Sequence, residues 1–197
     1  GFTAAYFDER GLYSFGRQPA TLLWNLARLA ECLLPLAPQA DLETALASYR
    51  PAFQRALATA VLRRLGLRPA GPPQDGALVE AWFGFLEASR APFEQAFFDW
   101  RGGLASADRA AAGPAAAHYA AEAFAPVRAA LAGFTPAEDA NLDHPYFAGP
   151  QPCTMLIDEV EAIWARIVEA DDWAGLADKL PRIAGMAQAY GTEPAAR

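Results

Sequence analysis

The chain has 197 residues, 53% of them hydrophobic and 20% charged, with a formal net charge of −7. That length suits one globular domain, or a large piece of one, able to bury roughly 70% of its unfolded surface. The acidic balance argues against nucleic acid or an anionic membrane as a general partner.

No apolar run reaches about 18 residues and no basic-then-apolar start is present, which argues against a membrane span or signal peptide. Cys32 and Cys153 form no C-x-x-C pair. Two cysteines are too few for a secreted scaffold, so a reducing, cytoplasmic setting is expected, with one long-range disulfide left open. The chain begins at Gly1 rather than methionine. A piece of a longer protein is the expectation.

In chain order, the first motif is "GLYSFGRQP" (Gly11 to Pro19). It imitates the phosphate loop G-x-x-x-x-G-K-[ST], which needs a lysine for the phosphates and a hydroxyl for magnesium. Arg17 and Gln18 stand at those positions, and Pro19 withholds a helix N-terminal N–H. The stretch reads instead as a turn feeding a helix, with Pro19 near its first position.

From Thr21 to Leu36, Leu22, Leu26, Leu29 and Leu33 recur at helical spacing, which predicts an amphipathic helix stopped near Pro35 and Pro38. A second helical stretch is expected from an N-cap at Asp41 to Gly66, kinked or split at Pro51. "GLRPAGPPQDG" has no period and reads as a linker. It divides residues 1–66 from 77–197, with 67–76 between them.

"ALVEAWFGFLEAS" and "APFEQAFFDWRGG" predict two short helices whose Trp and Phe residues suit a packed layer. Ala105 to Gly133 is alanine-rich, high in helix propensity but thin in core-forming surface. "FTPAEDANLDHPYFAGPQP" is a loop with four prolines, expected to be functional or pinned elsewhere. A strong helix follows from Thr154 to Glu169, with Leu156, Val160, Ile163 and Ile167 on one stripe, beside Ile157, Trp164 and Val168. Trp173 to Tyr190 closes the chain as a final helix. No alternating or β-branched strand is visible, so the expected class is all-α, an irregular multi-helix bundle.

Chemistry is sparse. His118 and His144 lie far apart, and no H-x-x-x-H, E-x-x-H or cysteine pair supplies metal-ligand spacing. His118 reads as a surface or capping group; for His144, before Pro145, a binding and a structural role both stay open. Asp158 and Glu161 of "DEVE" are one helical turn apart, as acid–base or dimetal carboxylates could be. Such sites need partners on facing helices, and the solvated-face reading is preferred. "ADDWAGL" reads as an N-cap and helix start. From the residues alone, no catalytic, cofactor-binding or metal-binding position can be named.

The segment Gly11 to Ala37 resembles the G-R-Y-x-x-x-x-Q-P-x-x-x-x-W-N-L-x-R-L-A-x-x-L-x-P-L pattern of the selenoprotein O family (SelO or YdiU), whose members are kinase-like protein adenylyltransferases. The shared residues are Gly11, Tyr13, Gln18, Pro19, Trp24, Asn25, Leu26, Arg28, Leu29, Ala30, Leu33, Pro35 and Leu36. Leu12 replaces the usual arginine. "LETALASYRPAFQRAL" is similar to the family's next helix, and "HPYFAGPQPCTMLIDEVEAIWARI" to the C-terminal end of one subgroup.

The resemblance implies AMP transfer (AMPylation) from ATP to protein hydroxyls, with ATP and magnesium held by motifs that precede this segment in the family. None of those motifs matches a position here; "AYFDER" is not the family's metal motif, and Asp8 takes no metal role. The chain is therefore expected to be the C-terminal helical part of such a nucleotidyltransferase, resembling the C-lobe helical region of a kinase-like fold, without its own cofactor. Its partner is then a protein substrate or the missing N-terminal lobe. Asn25 and Arg28, one turn apart, are expected to brace the missing catalytic loop, a solvent-facing pair being the alternative. Tyr13, Phe15 and Trp24 are expected to pack against the absent portion, leaving an exposed apolar patch. Two other readings stay open, a stand-alone helical interaction module and an enzyme completed by a second chain.

Overall fold

The computed structural model describes Gly11 and residues 14–192. Among these, ten α-helices and four 3₁₀ turns follow one another. The β-type structure among them is an isolated antiparallel bridge between Leu67 and Pro136, so the all-α class holds. The chain divides into two compact units, residues 1–57 and 58–197.

The first unit holds α1 (Gln18–Leu33), α2 (Gln39–Ala47) and the start of α3 (Tyr49–Leu65). Pro19 sits at the second position of α1, where its missing N–H has no intrahelical partner to lose. The N-cap expected at Asp41 is not there: α2 starts at Gln39 after Pro38, and Asp41 falls in its first turn. A carboxylate there meets the positive end of the helix. The break expected at Pro51 comes just upstream, at Ser48, which leaves Pro51 in the tolerant first turn of α3. Tyr49 donates its hydroxyl to the carbonyl of Pro19 at 2.9 Å. No residue of α1 or α2 is buried.

The second unit takes over within α3, whose Val61, Leu62 and Leu65 are buried and which ends at Gly66, φ +61°. The stretch 67–76 is not structureless: Leu67 makes the bridge, and Pro72 opens α4 (Pro72–Ser89). Two leading prolines cost a helix little, since those N–H groups go unbonded anyway. Asp75 accepts the N–H of Ala70 at 2.9 Å and fixes the entry. α5 (Phe93–Asp99) follows, then α6 (Ala107–Ala112), α7 (Ala116–Ala120) and α8 (Ala125–Leu131).

α4 packs along α8, and aromatic rings fill the space around them. Trp82 meets Phe97 at 5.0 Å between centroids, Phe85 meets Phe124 edge-on at 4.9 Å, and Trp100 meets Phe124 at 4.6 Å. Offset and edge-on pairs of this kind add to the burial of large apolar area. The alanine-rich region contributes more core than its composition suggests, because Tyr119, Phe124, Val127 and Leu131 all point inward and are buried. Its alanines matter too: Ala110 and Ala115 are buried where the helices come close.

Gly102 has φ +96°, and a Cβ there would lie 2.6 Å from Leu142 Cδ1. Its N–H reaches Leu65 O at 2.6 Å, so only glycine fits this approach. The four-proline loop is pinned by Phe147, which packs with Phe98, Tyr146 and Tyr190. α9 (Ile157–Ala170) and α10 (Ala174–Tyr190) close the unit as a hairpin. The helix start expected from "ADDWAGL" is there, but the N-cap position falls on Trp173, which makes no side-chain cap bond; Asp172, just before it, accepts the N–H of Ala174 at 2.9 Å.

Candidate functional site

A buried polar cluster lies at the centre of the second unit. Asp99, at the C-terminus of α5, is 1% exposed. Its Oδ2 accepts the Tyr119 hydroxyl at 2.7 Å and its Oδ1 accepts Gln95 Nε2 at 2.7 Å. Gln95 also donates to Pro150 O at 3.0 Å, which ties the four-proline loop to α5. A buried carboxylate is tolerable only with such partners.

Two arginines complete the cluster. Arg101 donates through NH1 to the carbonyls of Arg63 and Arg64, each at 3.2 Å, and so caps the C-terminal end of α3. Arg109 donates to Arg101 O at 2.7 Å. Their guanidinium planes lie over aromatic rings, Arg101 over Tyr190 at 4.5 Å and Arg109 over Phe147 at 4.9 Å, a contact worth more when desolvated.

Burial raises the Asp99 carboxyl, opposed by the Tyr119 and Gln95 hydrogen bonds and by Arg109. Burial and the hydrogen bond to Asp99 push the Tyr119 hydroxyl up, and burial pushes Tyr190 up to about 12. Burial lowers both arginines. These shifts favour neutral hydroxyls and oppose new charge. The cluster is built to hold elements together rather than to ionise a nucleophile.

The positions singled out from sequence do not converge. Asn25 and Arg28 are both exposed on α1; Arg28 pairs with Glu31 at 2.6 Å and lies 5.7 Å over the Trp24 ring. His118 is half-buried on α7. His144 accepts the N–H of Tyr146 through Nδ1 at 3.1 Å and caps a 3₁₀ turn, a structural duty. Asp158 and Glu161 are exposed, whereas Glu159 between them pairs with Lys179 at 2.6 Å. Cys32 is exposed, Cys153 is buried, and both are free. Asp8, Leu12 and Tyr13 lie outside the described residues, as does the side chain of Phe15. The Asp99–Tyr119 pair was invisible in sequence because its members are 20 residues apart and belong to no motif.

Two hollows lie apart from this cluster. One of about 500 Å³, in the first unit, is lined by Leu23, Glu43, Leu46, Ala47, Arg50 and Pro51. The other, of about 230 Å³, lies between α9 and α10 beside Glu159, Arg166, Lys179 and Arg182.

In "GLYSFGR" the Ser14 N–H is spent on Gly11 O at 3.2 Å and the Arg17 N–H on Ser14 O at 2.9 Å, so they are not free to cradle a phosphate. The chain's one lysine, Lys179, is 3% exposed and committed to Glu159. Among the described residues no three His, Cys, Asp or Glu side chains are grouped to hold a metal. No helix among them is long and apolar enough to cross a membrane.

Comparison with known proteins gives the wider setting. The chain is 34% identical over 192 residues to a protein nucleotidyltransferase YdiU of Gloeobacter violaceus, covering 93% of this chain and 39% of that protein. It is 37% identical over 110 residues to the YdiU of Myxococcus xanthus, covering 56% and 22%, and 42% identical over 78 residues to that of Pectobacterium atrosepticum, covering 40% and 16%. The chain thus spans about two fifths of the length of the first of these relatives. No solved structure matches it. The family described as protein adenylyltransferase SelO matches residues 1–184, and the chain belongs to the SelO family.

Proposed function

We propose that this chain is the C-terminal helical portion of a SelO-type protein adenylyltransferase acting in the cytoplasm. In the whole enzyme AMP passes from ATP to Ser, Thr or Tyr hydroxyls of a protein. Residues 1–66 supply kinase-like C-lobe helices, 67–76 connect, and 77–197 form the C-terminal helical region. ATP and magnesium are held by polypeptide outside this chain. Phosphoryl and nucleotidyl transfer depend on positioning and metal-assisted charge stabilisation, and these residues supply neither.

The observation that carries the reading is the family match over residues 1–184 in a chain spanning 39% of a relative's length. The first unit supports it: α1 buries none of its residues, and Trp24 is 61% exposed. An apolar helix face left uncovered is a surface for more protein. Asn25 and Arg28 lie on that helix, and we assign them the bracing of the catalytic loop in the whole enzyme.

A stand-alone helical interaction module is the second reading, favoured by the fact that residues 58–197 bury a core of their own. Calorimetry of the 197-residue chain with ATP and magnesium, with transfer of labelled AMP to a protein mixture, separates the two. The proposal expects neither binding nor transfer from the chain alone, and transfer once the preceding part of a SelO-family protein is supplied. Absence of transfer in that combination leaves the interaction module. Binding and transfer by the chain alone would place the nucleotide site within these residues and sink the reading.

A further inference from the structure

α9 turns its less apolar side to its neighbour. Glu159, Ala162, Ile163 and Arg166 line the hollow against α10. At 3.6 residues per turn, Ile157, Val160, Trp164 and Val168 fall on the opposite side, and all four are exposed, Trp164 and Val168 by 63% each. Along one edge of this stripe run Asp158, Glu161 and Glu169, exposed and without a hydrogen bond or ion pair among the described residues. Residues 157–182 carry seven acids against three bases. Two of those bases are already engaged, Arg166 by Asp172 and Lys179 by Glu159.

We propose that the outer face of α9 is a docking surface for an amphipathic helix of a separate protein, one whose apolar stripe is edged by lysine or arginine. The apolar stripe supplies contact area in the helix-against-helix mode. The acidic edge selects the partner. A second copy of this chain would bring the same three carboxylates against these, and like charges across an interface are penalised. An anionic lipid surface is repelled in the same way. A basic edge meets three carboxylates that have no internal ion pair to break. The inference rests on the terminal hairpin alone and is independent of the adenylyl-transfer reading.

The test uses the 197-residue chain and two synthetic helical peptides of about 18 residues, with the same apolar stripe but lysine on the polar edge of one and glutamate on the other. Calorimetry should show binding of the lysine peptide only, weakened about tenfold or more in about 0.5 M salt. Trp164→Ala should weaken it at least about tenfold, and the double variant E161K/E169K should reverse the preference. Trp24→Ala, in the other unit, should leave binding unchanged, and circular dichroism checks that each variant is folded. Equal binding of both peptides, binding of neither, or insensitivity to Trp164→Ala overturns the proposal. So does self-association in sedimentation that Trp164→Ala abolishes, since a second copy would then own the face.

Discussion

The two units are built from similar helices and solve burial in opposite ways. In residues 1–57, α1 carries a regular leucine stripe yet buries none of its residues fully; in residues 58–197, helices with less regular patterns enclose Trp82, Phe97, Phe98 and Phe124 almost completely. Amphipathic pattern states what a helix can bury. What it does bury depends on partners many residues away, and among the described residues only the second unit supplies enough of them to close a core. The lesson is that periodicity and core formation are separable properties.

That contrast can be broken most directly in the second unit. Trp82→Ala should destabilise the chain by about 3–5 kcal/mol, since it leaves a large cavity beside Phe97, whereas Trp24→Ala should change stability by less than about 0.5 kcal/mol. Urea unfolding followed by circular dichroism gives both numbers. Comparable losses at the two positions would mean that the first unit has a core after all.

The next largest effect belongs to the polar cluster. Asp99→Ala strands the Tyr119 hydroxyl in a buried place and leaves the Gln95 amide only its bond to Pro150 O, at about 1–3 kcal/mol. The pH dependence sharpens this. Burial raises the folded carboxyl above its unfolded value, so the folded state binds that proton more tightly. Its contribution is full below about pH 4 and is lost as pH rises through the raised folded value. Urea midpoints of the wild type and Asp99→Asn between about pH 4 and 7 should therefore diverge, with the wild type losing ground as pH increases. A constant difference across that range would rule out the raised carboxyl.

A smaller effect is expected at the hairpin. Lys179→Met keeps the stem packed but leaves Glu159 unpaired; because Glu159 is partly solvated, the loss should be about 1 kcal/mol, well below that of breaking a fully buried pair. A loss above about 3 kcal/mol would show that this pair, not the aromatic contacts of Tyr190, holds α10 in place. Smallest of all is Arg28→Ala, whose exposed pair with Glu31 is worth less than about 0.5 kcal/mol. If the same substitution abolished AMP transfer in a whole SelO-family enzyme while leaving stability intact, the bracing role assigned to Arg28 would be supported.

Much of the second unit could be read from local signals. Gly66 stops α3 because a left-handed residue ends a helix, α10 starts within "ADDWAGL", and most of the Trp and Phe of "ALVEAWFGFLEAS" and "APFEQAFFDWRGG" form the packed layer, Phe83 and Phe93 staying exposed. Proline proved the least legible residue. Pro51 and Pro72 each look like interruptions, yet both lie in first turns, where the missing N–H has no cost. The polar cluster was out of reach for a different reason. Asp99, Arg109 and Tyr119 sit on three short helices and Arg101 in the turn after the first of them; their closeness is decided by the aromatic core, and no spacing rule encodes that.

The pairing of Lys179 with Glu159 has a practical consequence. In a chain with 16 basic residues only one is a lysine, and its amine is sealed between α9 and α10. Apart from a terminal α-amine, amine-reactive reagents, acetyl donors and lysine-directed proteases all meet one target, and they meet it only when the hairpin parts. The rate at which that amine is modified under native conditions is therefore a direct clock for the opening of the last two helices, readable by mass in a single peptide.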